Sequence, residues 1–238
     1  MLLMSGFGVL IILLFISSIP VIAVFIWFRL ARYPFSLPRF SFSLLAGAVS
    51  FFSALFLQSI FADKNEFFYT AGKWGFIAEI FVRIAFTEEF SRLIVLIILL
   101  SAIRWLSSAK QRDSGLDANI SAVTMASASG LIAGLGFAIL ESAVYGASNP
   151  GNALLRTFTA APLHGACGFR AGSSVAMFSE RPVSAILRFL SAIVIHGIYN
   201  FMLIIPGFIP SIAAILIALS ALASSLLVIR NGMKGENV

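Results

Sequence analysis

This 238-residue sequence has few charged residues and a single cysteine. Only 11% of its residues are charged and 60% are hydrophobic, whereas a soluble domain has about 25% charged and about 45–50% apolar residues. This balance excludes an ordinary soluble fold and predicts an integral membrane protein. Because Cys167 is the one cysteine, an intrachain disulfide framework and a cysteine-rich metal site are also excluded.

The sequence also lacks the signatures of several enzyme classes. It has no His-Glu-x-x-His zinc motif and no Gly-x-Ser-x-Gly nucleophile elbow. The longest polar connections run only from about Arg29 to Ser41 and from Asp63 to Gly75, which is too short for a soluble domain. Any activity must therefore reside among the membrane segments.

Seven segments are long and apolar enough to cross a bilayer, which takes about 20 residues of helix. They are Leu3–Phe28, Phe42–Ala62, Phe76–Ile103, Ala118–Gly146, Ala153–Phe178, Ser184–Ile205 and Ile209–Ile229. Their continuous apolar runs lack the alternation of a transmembrane barrel. We therefore predict an all-α, polytopic bundle that forms a single integral membrane domain over residues 1–238. The pairs Gly130/Gly134 and Gly168/Gly172 have the GxxxG spacing of closely packed membrane helices.

The formal net charge of +6 follows the connections between these segments. Basic residues cluster on one predicted side, at Arg29, Arg32, Arg39, Arg104, Lys110, Arg112, Arg170, Arg181, Arg188, Arg230 and Lys234. The other side has only Lys64, Lys73 and Arg156, with Asp63 and Glu66 beside the first two. The positive-inside rule then predicts an N-terminus outside and a C-terminus in the cytoplasm. The first segment is predicted to be a retained anchor, because its positive charges follow the apolar stretch. No basic cluster is interleaved with aromatic residues, so no nucleic-acid partner is predicted.

Ionisable residues inside apolar segments are costly and are functional candidates by default. Here they are Glu79, Arg83, Glu88, Glu89, Arg92, Glu141, His164 and His196. Measured from the predicted outer ends of their helices, Glu88, His164 and His196 lie roughly 12–20 Å deep and Glu141 roughly 10 Å deep. Acids and imidazoles from four helices thus share one level in the predicted outer half of the membrane.

The third segment contains two adjacent acids and one base. On a helix Arg92 can reach either Glu88 or Glu89. One arginine cannot fully neutralise both carboxylates, so the pair could supply a base and an acid together. A purely structural ion pair is the alternative, although it leaves the second glutamate without a role.

The other candidates also have structural interpretations. Glu141 could extend towards the interface, and a lone histidine in a helix is often a hydrogen-bonded packing residue. Pro162 precedes His164 by two residues and can free backbone carbonyls. Asn200 lies one turn after His196, on the same face.

Four blocks, taken in order and spacing, resemble the motifs of the PrsW family of intramembrane proteases, within the wider CAAX-prenyl-protease-like superfamily. They are Glu88-Glu-x-x-Arg92, Phe137-x-x-x-Glu141, His164-x-x-x-Gly168 and His196-x-x-x-Asn200. The resemblance covers a motif-bearing core of about residues 75–205. Two positions depart from the family pattern, since Arg92 stands where lysine is usual and Asn200 where aspartate is usual. Glu141 fits PrsW better than the CAAX-protease branch, which normally has histidine there.

The resemblance implies an intramembrane endopeptidase in a bacterial or archaeal cell membrane. Its implied substrate is a single-pass membrane protein, such as a tethered anti-sigma factor, cut near the extracytoplasmic side. The hypothetical catalytic residues are Glu88, Glu89, His164 and His196, and the supporting residues are Arg92, Glu141 and Asn200. Glu88 would act as general base on water, with Glu89 tuning it or donating a proton and Arg92 orienting both carboxylates.

The remaining residues complete this hypothesis. His164 and His196 would hold the water and stabilise the oxyanion. Asn200 would add a donor or orient His196, and Glu141 would support a histidine.

A glutamic-type mechanism without cofactor is favoured over a zinc-dependent one. If the enzyme is of the metallo type, the predicted ligands are Glu88, Glu141, His164 and His196, since zinc accepts nitrogen and oxygen ligands. The same cluster would also suit a proton- or cation-coupled transporter. A CAAX-type prenyl-protein endopeptidase and a catalytically silent scaffold are further alternatives.

Overall fold

The computed structural model describes residues 6–62, 72–110 and 121–233, and every element in these ranges is helical. The elements are α1 (Gly6–Ser17), α2 (Ile19–Leu30), α3 (Leu37–Ala62), α4 (Gly72–Ala78), a π-helical segment (Glu79–Phe86), α5 (Thr87–Lys110), α6 (Ala122–Ser148), α7 (Pro150–Met177), α8 (Pro182–Ile204) and α9 (Phe208–Met233). The all-α prediction is confirmed.

Four helices are long and apolar enough to cross a membrane, namely α3, α6, α8 and α9. The bent pair of α1 and α2 makes a fifth if it counts as one span. The chain is therefore an integral membrane protein with four to five candidate spans among the described residues, and the count of seven spans stays a prediction. The segments predicted as third and fifth spans are helical, the third being assembled from α4, the π-helical segment and α5, and the fifth being α7.

Part of the topology prediction falls on residues outside the described ranges. These are Leu3, Asp63, Lys64, Glu66, Arg112, Ala118 and Lys234.

The first predicted span is bent by 41° where α1 meets α2. Pro20 lies in the first turn of α2, where its missing N–H cannot continue the hydrogen-bond ladder of α1. At the bend, the Ser18 hydroxyl donates a hydrogen bond to the carbonyl of Phe15 at 2.7 Å.

The third predicted segment is not a uniform α-helix, because Glu79–Phe86 is π-helical. A π-helix bonds each N–H five residues back and has more residues per turn, so it rotates the faces of the helix that follows it. The Thr87 hydroxyl closes this segment by donating to the carbonyl of Arg83 at 2.5 Å. The ring of Phe81 lies against Gly197, next to His196 on α8. The segment therefore sets the orientation in which α5 presents its glutamates.

The centre of the bundle is the packing of α6 against α7. A Cβ added to Gly134 would lie 2.6 Å from the backbone carbon of His164, and one added to Gly168 would lie 2.9 Å from the backbone nitrogen of Gly134. Small residues thus let the two backbones approach closely, as is usual between membrane helices. This contact fixes the distance of His164 from α6.

Candidate active site

Six of the seven predicted site residues converge in the interior of the bundle. Glu88, Glu89 and Arg92 lie on the first turns of α5, Glu141 on α6, His164 on α7 and His196 on α8. Glu89 and Arg92 are 0% exposed, the two histidines 1% and Glu88 6%. Charged groups so deeply buried require partners from the protein itself.

Arg92 connects two of these groups. Its guanidinium pairs with Glu89 through Nη1 and contacts Nδ1 of His164 through Nη2 at 3.2 Å. Its Cζ lies 4.7 Å from the centre of the Phe137 ring, a cation–π distance. Of the two carboxylates within its reach on α5, Arg92 therefore bonds to Glu89 and not to Glu88.

His196 lies between the two adjacent glutamates. Its Nδ1 is 2.8 Å from Oε1 of Glu89, and its Nε2 is 3.7 Å from Oε2 of Glu88. Glu89 is paired with Arg92 and can only accept hydrogen bonds. Nδ1 of His196 therefore carries a proton and donates a hydrogen bond to Oε1 of Glu89. Its Nε2 then faces Glu88.

His164 is bonded on both sides of its ring. Its Nε2 lies 2.7 Å from Oε2 of Glu141, and its Nδ1 accepts a hydrogen bond from Nη2 of Arg92. The rings of His164 and His196 meet edge to face with their centres 5.0 Å apart.

Arg156 completes this side of the site. Its Nη2 lies 2.5 Å from Oε2 of Glu141, and its Cζ lies 4.1 Å from the centre of the Tyr145 ring. Sequence reasoning treated Arg156 only as a topology charge. A usable signal was its position eight residues before His164, which places both residues on one face of α7.

Gln58 of α3 is the second residue that sequence reasoning missed. Its Nε2 donates to Oε1 of Glu88 at 3.2 Å and to Oγ1 of Thr87 at 3.4 Å. Oε2 of Glu88 is buried and has no hydrogen-bond partner among the described residues. Glu88 is therefore anchored at one oxygen, and the other faces His196.

Asn200 does not orient His196, contrary to the expectation from their spacing. Within the described ranges its side chain makes no hydrogen bond, and it is only half-buried. The reason is that Nδ1 of His196 is already bonded to Glu89 and its Nε2 is directed towards Glu88.

The cluster can also be tested as a metal site. Glu88, His164 and His196 each offer one ligand atom, and these atoms lie within 4.8 Å of one another. Glu141, the fourth predicted ligand, is instead paired with Arg156 and His164. The nitrogen and oxygen donors suit zinc, and the unpartnered Oε2 of Glu88 is what a cation would engage. His164 would have to exchange one of its two hydrogen bonds to join the set.

Comparison with known proteins places this arrangement in a family. A family model described as PrsW family intramembrane metalloprotease matches residues 37–226, a range that contains every residue of the site. No curated protein and no solved structure matches the chain. The match covers most of the 238 residues and confirms the resemblance carried by the four sequence blocks. The chain therefore belongs to the PrsW family of intramembrane proteases.

Proposed function

We propose that this protease hydrolyses a peptide bond of a single-pass membrane protein, such as a tethered regulator of the anti-sigma type, with a water activated by Glu88. The observation that carries the proposal is the pair formed by Oε2 of Glu88 and Nε2 of His196, which lie 3.7 Å apart. This separation is too long for a direct hydrogen bond, yet one water about 2.8 Å from each atom could contact both. Burial of both side chains strengthens such contacts.

In this mechanism Glu88 takes a proton from the water as the water oxygen attacks the peptide carbonyl. The tetrahedral intermediate then collapses, and Glu88 delivers the same proton to the leaving amine. Gln58 holds the carboxylate of Glu88 in place, and Glu89 holds the ring of His196. The oxyanion donor in this proposal is the side-chain amide of Asn200, which lies one turn after His196 on α8 and has no hydrogen bond among the described residues.

A zinc ion is the alternative activator, and Glu88, His164 and His196 would hold it. When bound, zinc acidifies a water and polarises the substrate carbonyl. The glutamic-type mechanism is favoured because it keeps both hydrogen bonds of His164 intact.

The finer topology belongs to the same proposal, with seven spans, an N-terminus outside and a cut near the extracytoplasmic face. In support, Glu141 lies about two turns before the end of α6 and His196 about two turns before the end of α8. Labelling with a membrane-impermeant thiol reagent tests this on a Cys167→Ser background. Phe208→Cys should be labelled from outside in intact cells and Arg181→Cys should not, and the reverse pattern would refute the orientation.

The decisive experiment is cleavage of a panel of fluorescent single-pass peptides by the purified chain in liposomes. Glu88→Gln keeps the side-chain shape but removes the base, so we expect about a 10²–10⁴-fold loss of kcat. Glu79→Gln is the matched control, because Glu79 pairs with Arg83 and bonds to none of the site residues among the described ranges; its activity should be retained. If the wild-type chain cleaves no peptide while Glu88→Gln abolishes proton-coupled uptake in vesicles, the protein is a transporter and the proposal fails.

A further inference from the structure

Arg156 lies at the edge of the site and touches none of the atoms assigned to the reaction. We propose that Arg156 is a positioning residue which holds the carboxylate of Glu141 in place and, through it, the Nε2–H bond and the ring orientation of His164. This inference rests on the proposed function only for its consequence in catalysis, since these contacts are properties of the free protein.

The first step is the bond between Arg92 and His164. A guanidinium has five N–H donors and no acceptor. Nδ1 of His164, 3.2 Å from Nη2 of Arg92, must therefore be the accepting nitrogen. A neutral imidazole carries one proton, so that proton lies on Nε2.

The second step is the partner of that proton. Nε2 of His164 lies 2.7 Å from Oε2 of Glu141, and Nη2 of Arg156 lies 2.5 Å from the same oxygen. Glu141 can accept from both groups when it is ionised, and Arg156 supplies the charge that balances the buried carboxylate. Without Arg156, Glu141 would have His164 as its one hydrogen-bonding partner among the described residues.

The third step is that Arg156 is itself held. Its side chain is 19% exposed, and its guanidinium stacks over the ring of Tyr145, the residue one turn after Glu141 on α6. Arg156 and His164 share a face of the continuous helix α7. One arginine thus ties the carboxylate of α6 to the imidazole of α7.

The consequence is a division of roles between the two histidines. His164 has no ring nitrogen to spare, whereas His196 donates through Nδ1 to Glu89 and keeps Nε2 as an acceptor beside Glu88. The two rings therefore carry opposite tautomers. His164 orients the cluster, and His196 is the imidazole that contacts the reacting water.

The sequence makes this directly measurable, because the chain has only two histidines. The full chain, ¹⁵N-labelled at histidine, would be examined in detergent with chelator at one neutral pH. Long-range ¹H–¹⁵N spectra would be assigned with His196→Gln. We expect a protonated Nε2 for His164 and a protonated Nδ1 for His196. Two rings in the same tautomer would overturn the proposal.

The role of Arg156 is tested with two neutral variants, Arg156→Gln and Arg156→Met, of which the second suits an apolar environment if the first fails to fold. In each folded variant the Nε2–H signal of His164 should shift and broaden, because its acceptor Glu141 has lost its counter-ion, while the His196 signals stay in place, and Arg156→Lys should restore the wild-type spectrum. Arg181→Gln removes the same charge beyond the opposite end of α7 and should change nothing. An unchanged His164 spectrum in a folded neutral variant would refute the role of Arg156.

A cleavage assay then separates positioning from binding. Arg156→Gln should lower kcat by about 10- to 100-fold, a loss like that seen for groups that orient metal-ligating histidines, and should leave KM unchanged. A change in KM alone would contradict the proposal. Because the spectra require no substrate, failure of this inference is distinguishable from failure of the hydrolysis proposal.

Discussion

At the residue scale, the site depends on how buried charges are shared. Arg92 uses its planar fork to bond to Glu89 and His164 at once. The PrsW motif usually has lysine at this position, and lysine keeps the charge but has no planar fork. This explains how the departure from the motif is accommodated: the arginine joins the α5 carboxylate to the α7 histidine.

Removal of one partner of this buried pair should be costly. We expect Glu89→Gln to reduce the free energy of unfolding by about 3–5 kcal/mol, because it leaves Arg92 buried without its counter-ion. Glu79→Gln breaks a partly exposed pair of the related i,i+4 spacing and should cost about 1 kcal/mol or less.

The sole cysteine provides the measurement for this prediction. Cys167 is 0% exposed, so a thiol-reactive dye reports unfolding of the chain with temperature. Equal shifts in Tm for the two variants would contradict the expectation that the buried Glu89–Arg92 pair stabilises the fold more than the Glu79–Arg83 pair does.

Gln58 should matter for both the rate and the stability of the fold. Its side-chain amide is a neutral donor and Oε1 of Glu88 is a charged acceptor. Hydrogen bonds of this kind contribute about 1.5–3 kcal/mol to stability. Gln58→Leu should therefore lower kcat by about 10- to 100-fold. Ser53→Ala serves as the control on the same helix, since among the described residues the Ser53 hydroxyl bonds to the carbonyl of Val49 alone. Equal activity of Gln58→Leu and wild type would exclude Gln58 from the mechanism.

At the scale of elements, the site is positioned by two local irregularities. The π-helical segment ends immediately before α5 and rotates the turn that carries Glu88 and Glu89. The glycines of α6 and α7 bring two backbones together beside His164. Regular helices with larger side chains would hold the same residues farther apart.

The glycine contact leads to a prediction about α6. Gly134→Ala places a methyl group against the backbone of His164, where only a shift of the two helices can make room. Backbone shifts of this kind cost about 1–3 kcal/mol. We therefore expect a lower Tm and a loss of peptidase activity. Gly151→Ala is the matched substitution, because among the described atoms its methyl group would meet only Asn149 Oδ1 at 3.2 Å, and equal effects of the two would contradict the packing argument.

At the scale of the whole molecule, the site gathers side chains from helices that are far apart in sequence. Four helices supply the charged and imidazole groups, and α3 supplies Gln58. No single helix contains a complete proton-transfer arrangement. Catalysis should therefore require the intact bundle.

Metal removal tests the favoured mechanism in the intact protein. If Glu88 activates water unaided, peptidase activity in liposomes should survive exhaustive chelation and should not rise when zinc is added back. Glu88→Gln treated in parallel gives the background rate. Loss of activity on chelation with recovery on zinc addition would instead assign the cluster to a metal.

Much of the organisation could be predicted from local sequence. The apolar runs determined that the chain is a helical membrane protein, because burial of apolar side chains in lipid depends only on composition and length. The four spaced blocks determined the family. Counting residues from the predicted helix ends also placed Glu88, His164 and His196 at one depth.

Only the tertiary structure decided which partners these residues have. The sequence left Arg92 able to reach either glutamate, and the fold pairs it with Glu89 while leaving Glu88 to Gln58. Arg156 became part of the site, and Asn200 did not bond to His196. The physical reason is that a hydrogen bond depends on atoms within about 3 Å of each other, and here, apart from the Arg92–Glu89 pair within α5, those atoms come from separate helices whose rotation and separation no local pattern encodes.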